Sequence, residues 1–198
     1  QGTLLVAGYY HQGAHGILVW DVASRQLKPT ALPSIDWVAQ VVFSPDGRFL
    51  AASCSDGGTV LFDTSDFQRR LFVAGYIPVG LAFTPDSQLL AIPSIQFGVI
   101  RLWNIATNRE VAVLSHPGDV RWVTFSTDGK TLVTAHPRSV RIWNLAAATE
   151  KRTLSGHEGG VPGIAFSPHG KFLVPVGKDM NATIWDPVTG QVIHRLTG

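Results

Sequence analysis

The chain has 198 residues, of which 45% are hydrophobic and 15% charged, and its formal net charge is +2 at pH 7. This balance excludes a disordered tail and a collagen-like chain. The basic residues are scattered and form no stripe for nucleic acid, and no apolar run approaches the roughly 18 residues of a membrane helix. We therefore expect a globular domain that binds neither nucleic acid nor a membrane. Because residue 1 is Gln, we also expect a fragment of a longer chain.

One pattern recurs five times along the chain: an apolar run that ends in an aromatic residue followed by Asp or Asn. Successive copies lie 40 to 42 residues apart, at Trp20-Asp21, Phe62-Asp63, Trp103-Asn104, Trp143-Asn144 and Trp185-Asp186. A second marker, a Phe that opens a turn, has the same period and occurs at Phe43, Phe83, Phe125 and Phe166. Two markers in phase indicate an internal repeat.

Each repeat predicts four short antiparallel strands. In the second copy the runs are 38–43, 49–53, 59–63 and 69–73, which are too short for helices and rich in Val, Phe and Leu. The first connection, Ser44-Pro45-Asp46-Gly47, has Pro where a turn needs a fixed φ and Gly where it needs a positive one. Related turns follow Phe83, Phe125 and Phe166.

These residues resemble the WD-repeat family of β-propellers, in a bacterial type with degenerate repeats. The likeness lies in the repeated turn, in runs such as Val140–Asn144 and in the Gly156-His157 pair, and it spans essentially the whole chain. It implies an all-β propeller of four-stranded antiparallel blades, with four complete blades and one that lacks its innermost strand, or 19 strands. The expected blades are residues 1–33, 34–74, 75–115, 116–156 and 157–198, as part of a larger ring.

The resemblance also implies a buried network of His, Ser or Thr, Asp and Trp in each blade. We assign this structural role to His116, His157, Asp56, Asp179, Trp20, Trp103, Trp143 and Trp185. The network is incomplete in every copy: Pro175 and Gly177 replace its hydroxyl in the last repeat, Phe62 replaces Trp in the second, and Pro137 replaces the acid in the fourth, where Thr134 fits. The third copy keeps only Trp103. We expect apolar packing to hold these blades together.

One rim of the propeller is the expected binding surface for a protein or peptide. Its candidates are aromatic and charged residues, which anchor many protein interfaces: Tyr9, Tyr10, Asp36, Trp37, Tyr76, Phe97, Asp119, Arg121, Trp122 and Arg138. Tyr9, Tyr10, His11 and His15 are predicted to lie on a long first loop. The alternative is that Trp37 and Trp122 simply pack at the ends of strands.

The sequence offers little for catalysis or cofactor binding. His11 and His15 have a spacing that binds metals on helices, but neighbouring glycines predict a loop, so we expect no metal and no cofactor. His136, His169 and His194 are predicted to be solvated, and Cys54, the single cysteine, to be buried and unreactive. A chain without a disulfide framework favours a cytoplasmic location.

Three functions are compatible with these residues. The first is a noncatalytic scaffold that binds a protein or peptide through the rim, with self-association through incomplete propeller edges as a further expectation. The second is the regulatory domain of a larger bacterial enzyme such as a serine/threonine kinase. The third is a propeller hydrolase, which would need acids on innermost strands, whereas runs such as residues 38–43 and 161–166 contain none.

Overall fold

A computed structural model describes residues 3–11, 14–28, 32–33, 37–55, 58–74, 80–137, 139–155, 160–161, 163–177 and 181–197. Every regular element in these ranges is a β-strand. The described part of the chain contains no helix long and apolar enough to cross a membrane.

The strands form five antiparallel sheets that follow one another along the chain. The first sheet contains β1 (Leu4–His11), β2 (Ala14–Asp21), β3 (Gln26–Leu27) and β4 (Leu32–Pro33). The second contains β5 (Val38–Phe43), β6 (Phe49–Cys54), β7 (Gly58–Asp63) and β8 (Arg69–Val73), and the third contains β9 (Ala82–Phe83), β10 (Leu89–Pro93), β11 (Val99–Asn104) and β12 (Arg109–Ser115). The fourth contains β13 (Trp122–Phe125), β14 (Thr131–His136), β15 (Ser139–Asn144) and β16 (Thr149–Ser155), and the fifth contains β17 (Gly163–Phe166), β18 (Leu173–Val176), β19 (Asn181–Trp185) and β20 (Val192–Thr197).

The second sheet matches the strands predicted from sequence to within one residue at each end. All residues of β7 and all but the first of β6 are buried. Such continuous burial explains why these strands are mostly apolar, since a sheet covered on both faces has no solvent-exposed side on which polar residues would alternate.

The first sheet departs from the predicted strand count and from the predicted loop. Its outer strand is divided into β3 and β4, which pair with opposite ends of β2, so the described residues form 20 strand segments. The predicted long first loop is wrong: Tyr9, Tyr10 and His11 lie on β1, and His15 pairs with Tyr10 from β2. The pairing of β1 with β2 extends from Leu4 and Asp21 to His11 and Ala14, so these strands form a hairpin. Among the described residues β1 is the inner edge of its sheet.

Four apolar clusters join each sheet to the next one. We call the face that packs on the following sheet the leading face and the face that packs on the preceding sheet the trailing face. In the fourth sheet, Val133, Ile142 and Leu154 of the leading face pack against Leu173 and Trp185 of the fifth sheet. Equivalent clusters join the first sheet to the second, the second to the third and the third to the fourth. The core is therefore a series of layers between sheets.

The innermost strands also contact one another in sequence. β1 contacts β5, and β13 contacts both β9 and β17. Between the second and third sheets, the amide of Leu81 donates a hydrogen bond of 2.5 Å to the Gln40 side-chain oxygen. Four-stranded sheets stacked face to face, with their first strands together, are the blades of a β-propeller, as the sequence predicted.

The turns after each first strand are built alike and contact each other. In the second sheet the Ser44 hydroxyl donates to Asp46 Oδ1 at 2.6 Å, and the amide of Phe49 donates to Ser44 Oγ at 2.8 Å. The third sheet has Ser87 where the others have Gly, with a positive φ of 62°. The Ser87 hydroxyl accepts a 3.1 Å hydrogen bond from the amide of Asp46 in the second sheet, so Ser87 links the two blades.

Candidate functional site

The candidate site is the upper rim, which we define in the second to fifth sheets as the connections between the second and third strands together with the residues that precede each first strand. The lower rim, on the opposite side, carries the turns that follow the first and third strands of these sheets. In the first sheet β1 and β2 correspond to the second and third strands of the others, so their connection belongs to the upper rim. Backbone hydrogen bonds hold the two parts of the upper rim together. The amide of Ser55 donates to the carbonyl of Trp37 at 2.8 Å, and the amide of His116 donates to the carbonyl of Gly98 at 2.6 Å.

Trp37 and Phe97 are the large exposed aromatic side chains of this rim in the described part of the chain. Trp37 precedes β5 and is 58% exposed, and Phe97 precedes β11 and is 56% exposed. The backbone beneath each is fixed, by Ser55 for Trp37 and by a 3.2 Å bond from the Phe97 amide to Ser94 Oγ. Exposed rings on an ordered backbone can bury a large apolar area when a partner binds.

Arg121 and Asp119 place charge on the same rim. Both lie on the segment that leads into β13, where Arg121 is exposed and Asp119 is partly buried. The amide of Arg121 donates to the carbonyl of Ala135 at 3.1 Å, which fixes this segment to the fourth sheet. The rim therefore combines aromatic area with a cation.

Two other candidates have structural contacts. Trp122 is partly buried and packs against the cluster between the fourth and fifth sheets, as the alternative interpretation expected of a residue at the end of a strand. Tyr9 lies over the hairpin of the first sheet, because a side chain at Gly16 would come within 2.6 Å of its ring. Tyr9 and Trp122 therefore contribute to packing.

The remaining candidates cannot be placed. Asp36, Tyr76 and Arg138 of the rim, and Asp56, His157 and Asp179 of the internal network, lie outside the described residues, and the side chain of Tyr10 is not described.

The internal network is partly formed in the fourth sheet. Trp143 Nε1 donates a buried hydrogen bond of 3.0 Å to Thr134 Oγ1. The His116 ring lies 6.2 Å from the Trp143 ring, between centroids, but neither of its nitrogens has a hydrogen-bond partner among the described residues. His116 is only 5% exposed. Burial lowers its pKa to about 4, and the charge of nearby Arg141 adds to this effect, so the ring is neutral at pH 7.

The prediction that His136 is solvated is wrong. It is partly buried, its ring lies 5.4 Å from that of His116, and a side chain at Gly118 would come within 2.7 Å of its Nε2. The tight approach of the Gly118 backbone, whose φ is +107°, explains this position. His169 and His194 are exposed as predicted.

The other three aromatic positions of the network have different surroundings. Trp185 is buried, but its Nε1 has no hydrogen-bond partner among the described residues, and Trp103 Nε1 donates to Asn108 Oδ1 at 3.2 Å near the surface. Trp20 is partly buried. In the second sheet Ser53 Oγ is buried and also lacks a hydrogen-bond partner among the described residues. By register, Ala52 rather than Ser53 occupies the position of Thr134, on the face that carries Phe62.

The described residues contain no group of three or more side chains suited to a metal ion. Cys54, the single cysteine of the sequence, is fully buried, as predicted. The lower rim has a cleft of about 500 Å³ between the second and third sheets, with an apolar base of Phe49, Leu61, Leu71 and Ile105. No sequence pattern pointed to this cleft, because its residues come from two repeats.

Acidic side chains at the lip of this cleft are ionised. The Thr84 hydroxyl and the Gln88 amide hold the pKa of Asp86 below its usual value. Partial burial opposes the ionisation of Asp46, but hydrogen bonds from Ser44 and from the Arg48 amide lower its pKa overall. The same hydrogen bonds hold together the turns of the lower rim. The two carboxylates therefore stabilise these turns and also make the edge of the cleft negatively charged.

Comparison with known proteins identifies the repeat. A family model described as WD domain, G-beta repeat matches residues 32–63, 108–144 and 148–186. Each match starts near the outer strand of one sheet and continues through the three inner strands of the next. The guanine nucleotide-binding protein subunit beta of Oryza sativa subsp. japonica is 23% identical over 199 residues, which cover 90% of this chain and 52% of that protein. The chain thus spans about half the length of this relative.

Solved structures show the same fold. A chain from the crystal structure of the mitotic checkpoint complex has a TM-score of 0.84 and 23% identity, covering 96% of this chain and 60% of its own. A chain of Kuenenia stuttgartiensis hydrazine synthase has a TM-score of 0.73 and 21% identity, covering 80% of this chain and 48% of its own. Because the family model matches more than half of the residues, the chain belongs to the WD domain, G-beta repeat family.

Proposed function

We propose that the chain is a noncatalytic scaffold whose upper rim binds a protein or peptide. The observation that carries this proposal is the exposure of Trp37 and Phe97 on one rim, above a backbone held by hydrogen bonds. Trp is among the residues that contribute most to binding when a partner buries them, and Arg121 adds a charge that can select an acidic partner.

The relatives support a role within an assembly. The rice protein is named as a subunit, and the mitotic checkpoint structure is a complex. The hydrazine synthase chain shows that the same fold occurs in an enzyme, which supports the alternative of a regulatory domain within a larger enzyme, such as a serine/threonine kinase. Both roles would use the rim for binding.

Affinity enrichment from a lysate of the source organism, with quantitative mass spectrometry, tests the rim assignment. We expect Trp37→Ala and Phe97→Ala each to reduce enrichment of a specific partner by a factor of about 10 to 30, which corresponds to about 1.4 to 2 kcal/mol. Val188→Ala is the matched control, since Val188 is also exposed but lies on the lower rim. A partner enriched equally by the Trp37→Ala/Phe97→Ala double variant would refute the rim assignment.

A further inference from the structure

The cleft of about 500 Å³ on the lower rim lies between the second and third sheets. Each of these sheets already packs against a neighbouring sheet on both faces, so the cleft is not a place that another blade of the propeller would fill. Phe49 of β6 and Ile105, which follows β11, line the cleft and are only partly buried. The volume is in the range of ligand-binding clefts in proteins.

The two guanidinium groups that line the cleft already have acidic partners. Arg70 lies 2.6 Å from Asp66 and 3.5 Å from Asp63. Arg48 lies 4.0 Å from Asp63 and 5.1 Å from the centre of the Phe49 ring. These two cations therefore balance the charges of Asp63 and Asp66.

Asp46 and Asp86 supply further negative charge at the lip of the cleft. Both residues are exposed, and no basic side chain among the described residues lies within 4.0 Å of either carboxylate. In Asp86 a single oxygen, Oδ1, accepts the two hydrogen bonds of the turn, so Oδ2 is available to a ligand. The amide of Asp46 donates to Ser87, which holds the two turns side by side in one lip.

The corresponding cleft between the fourth and fifth sheets is smaller, about 320 Å³, and has a different charge. Asp128 stands at its lip as Asp46 does, but His169 occupies the turn position of Asp86. Lys151 also lines this second cleft. Of the two clefts, the one between the second and third sheets is therefore the better match for a cation.

We propose that the cleft between the second and third sheets binds a Lys or Arg side chain from an extended basic segment of a partner protein. The aliphatic stem of that side chain lies against Phe49 and Ile105, and its cation lies at the carboxylates of Asp46 and Asp86. Long basic side chains join an apolar stem to a charged end, so they complement an apolar base below an acidic lip. This surface is on the opposite rim from the one under Proposed function and does not depend on it.

Titration of the isotopically labelled chain, followed by nuclear magnetic resonance, measures this binding with the peptide acetyl-Gly-Leu-Lys-Leu-Gly-amide as the probe. The amides of Arg48 and Gln88 donate to the two lip carboxylates, so their signals report on occupancy of the cleft. We expect both signals to shift. A peptide with norleucine in place of Lys keeps the stem but lacks the charge, and it should bind about tenfold more weakly. Free n-butylamine lacks the peptide backbone and should also bind more weakly than the Lys peptide.

Variants of the chain test which carboxylate is used. Asp86→Asn removes one charge from the lip and keeps an oxygen that can accept the hydrogen bonds of the turn. We expect it to weaken binding of the Lys peptide about fivefold. Asp128→Asn is the matched control, because Asp128 accepts the same turn hydrogen bonds at the other cleft, and this variant should bind like the wild type. Trp37→Ala should also bind like the wild type, since Trp37 lies on the upper rim.

The comparison of the peptides uses the wild-type chain, so it decides the question even if a variant fails to fold. The proposal is overturned if the signals of Arg48 and Gln88 do not shift, or if the norleucine peptide or n-butylamine binds as tightly as the Lys peptide. It is also overturned if Asp128→Asn weakens binding as much as Asp86→Asn. Loss of binding in Trp37→Ala would place the peptide on the upper rim, contrary to the proposal.

Discussion

The fourth and fifth sheets have the same strand order and closely similar registers, yet equivalent residues have different surroundings. Trp143 pairs with Leu132 in one sheet and Trp185 with Leu173 in the other, and all four residues are buried on trailing faces. On the leading faces the sheets differ, since Leu154 is buried and Leu196 is exposed. The repeat therefore determines the shape of each sheet, while the neighbouring sheet determines how much of it is buried.

The polar interior of the two sheets differs as well. Trp143 donates to Thr134 in the fourth sheet, whereas Pro175 occupies the position of Thr134 in the fifth, and Trp185 Nε1 has no hydrogen-bond partner among the described residues. Both sheets nevertheless form with the same trailing-face packing. Apolar contacts on the trailing face are thus common to both sheets, while a Trp–Thr hydrogen bond is found in the fourth.

The largest expected effect is that of truncating a leucine on the two leading faces. Leu154→Ala should lower the free energy of unfolding by about 3 kcal/mol, because it opens a cavity between two sheets. Leu196→Ala should change it by no more than about 0.5 kcal/mol, since the side chain is mostly exposed. Urea denaturation monitored by circular dichroism measures both values.

This experiment should be carried out at a concentration where the chain is monomeric, so that association does not contribute to the stability of the fifth sheet. Equal losses for the two variants would mean that Leu196 is covered within a single copy, contrary to the structure.

Much of the fold could be predicted from sequence because its determinants are local and periodic. The strands of the second sheet were predicted to within one residue, since turn residues separate short apolar runs. The turn pattern predicted a positive φ at Gly47, and its φ in the structure is 73°. The length of β1 and β2 was underestimated, because Tyr and His near two glycines were interpreted as a loop.

The candidate site was less accessible to prediction, because its properties depend on contacts between repeats. The aromatic residues of the rim could be identified from sequence, but the partial burial of Trp122 depends on the fifth sheet. The ring contact between His136 and His116 joins residues of two segments, and the hydrogen bond from the Asp46 amide to Ser87 joins turns of two sheets. No local pattern encodes such pairs.

The second expected effect is a loss of stability in mild acid that depends on His116 in the fourth sheet. Its pKa is about 4 in the folded chain, below the ordinary value of 6.5, so the unfolded chain binds a proton more readily between these pH values. The stabilisation is complete above pH 6.5 and is lost as the pH falls toward 4, by up to about 3 kcal/mol. Urea denaturation at several pH values measures it.

His116→Gln is the control for this pH dependence, since it removes the titrating ring. The variant should show a smaller decrease in stability between pH 6.5 and 4 than the wild type. The turn carboxylates act in a separate range, because their lowered pKa values mean that their contribution is lost only at more acidic pH, below the usual value of 3.8. A wild-type curve identical to that of the variant would show that the folded chain accommodates the charged ring.

The smallest effect compares the indole nitrogens of the two sheets. Trp143→Phe removes the buried hydrogen bond to Thr134 and leaves that hydroxyl without its donor, whereas Trp185→Phe removes an N–H that has no partner in the described structure. We therefore expect Trp143→Phe to cost about 1 kcal/mol more than Trp185→Phe in urea denaturation. A double-mutant cycle of Trp143→Phe with Thr134→Val should show a coupling of about 1 kcal/mol. A coupling near zero would mean that the bond is exchanged for equally good contacts, and that the two sheets differ only in the neighbours on their leading faces.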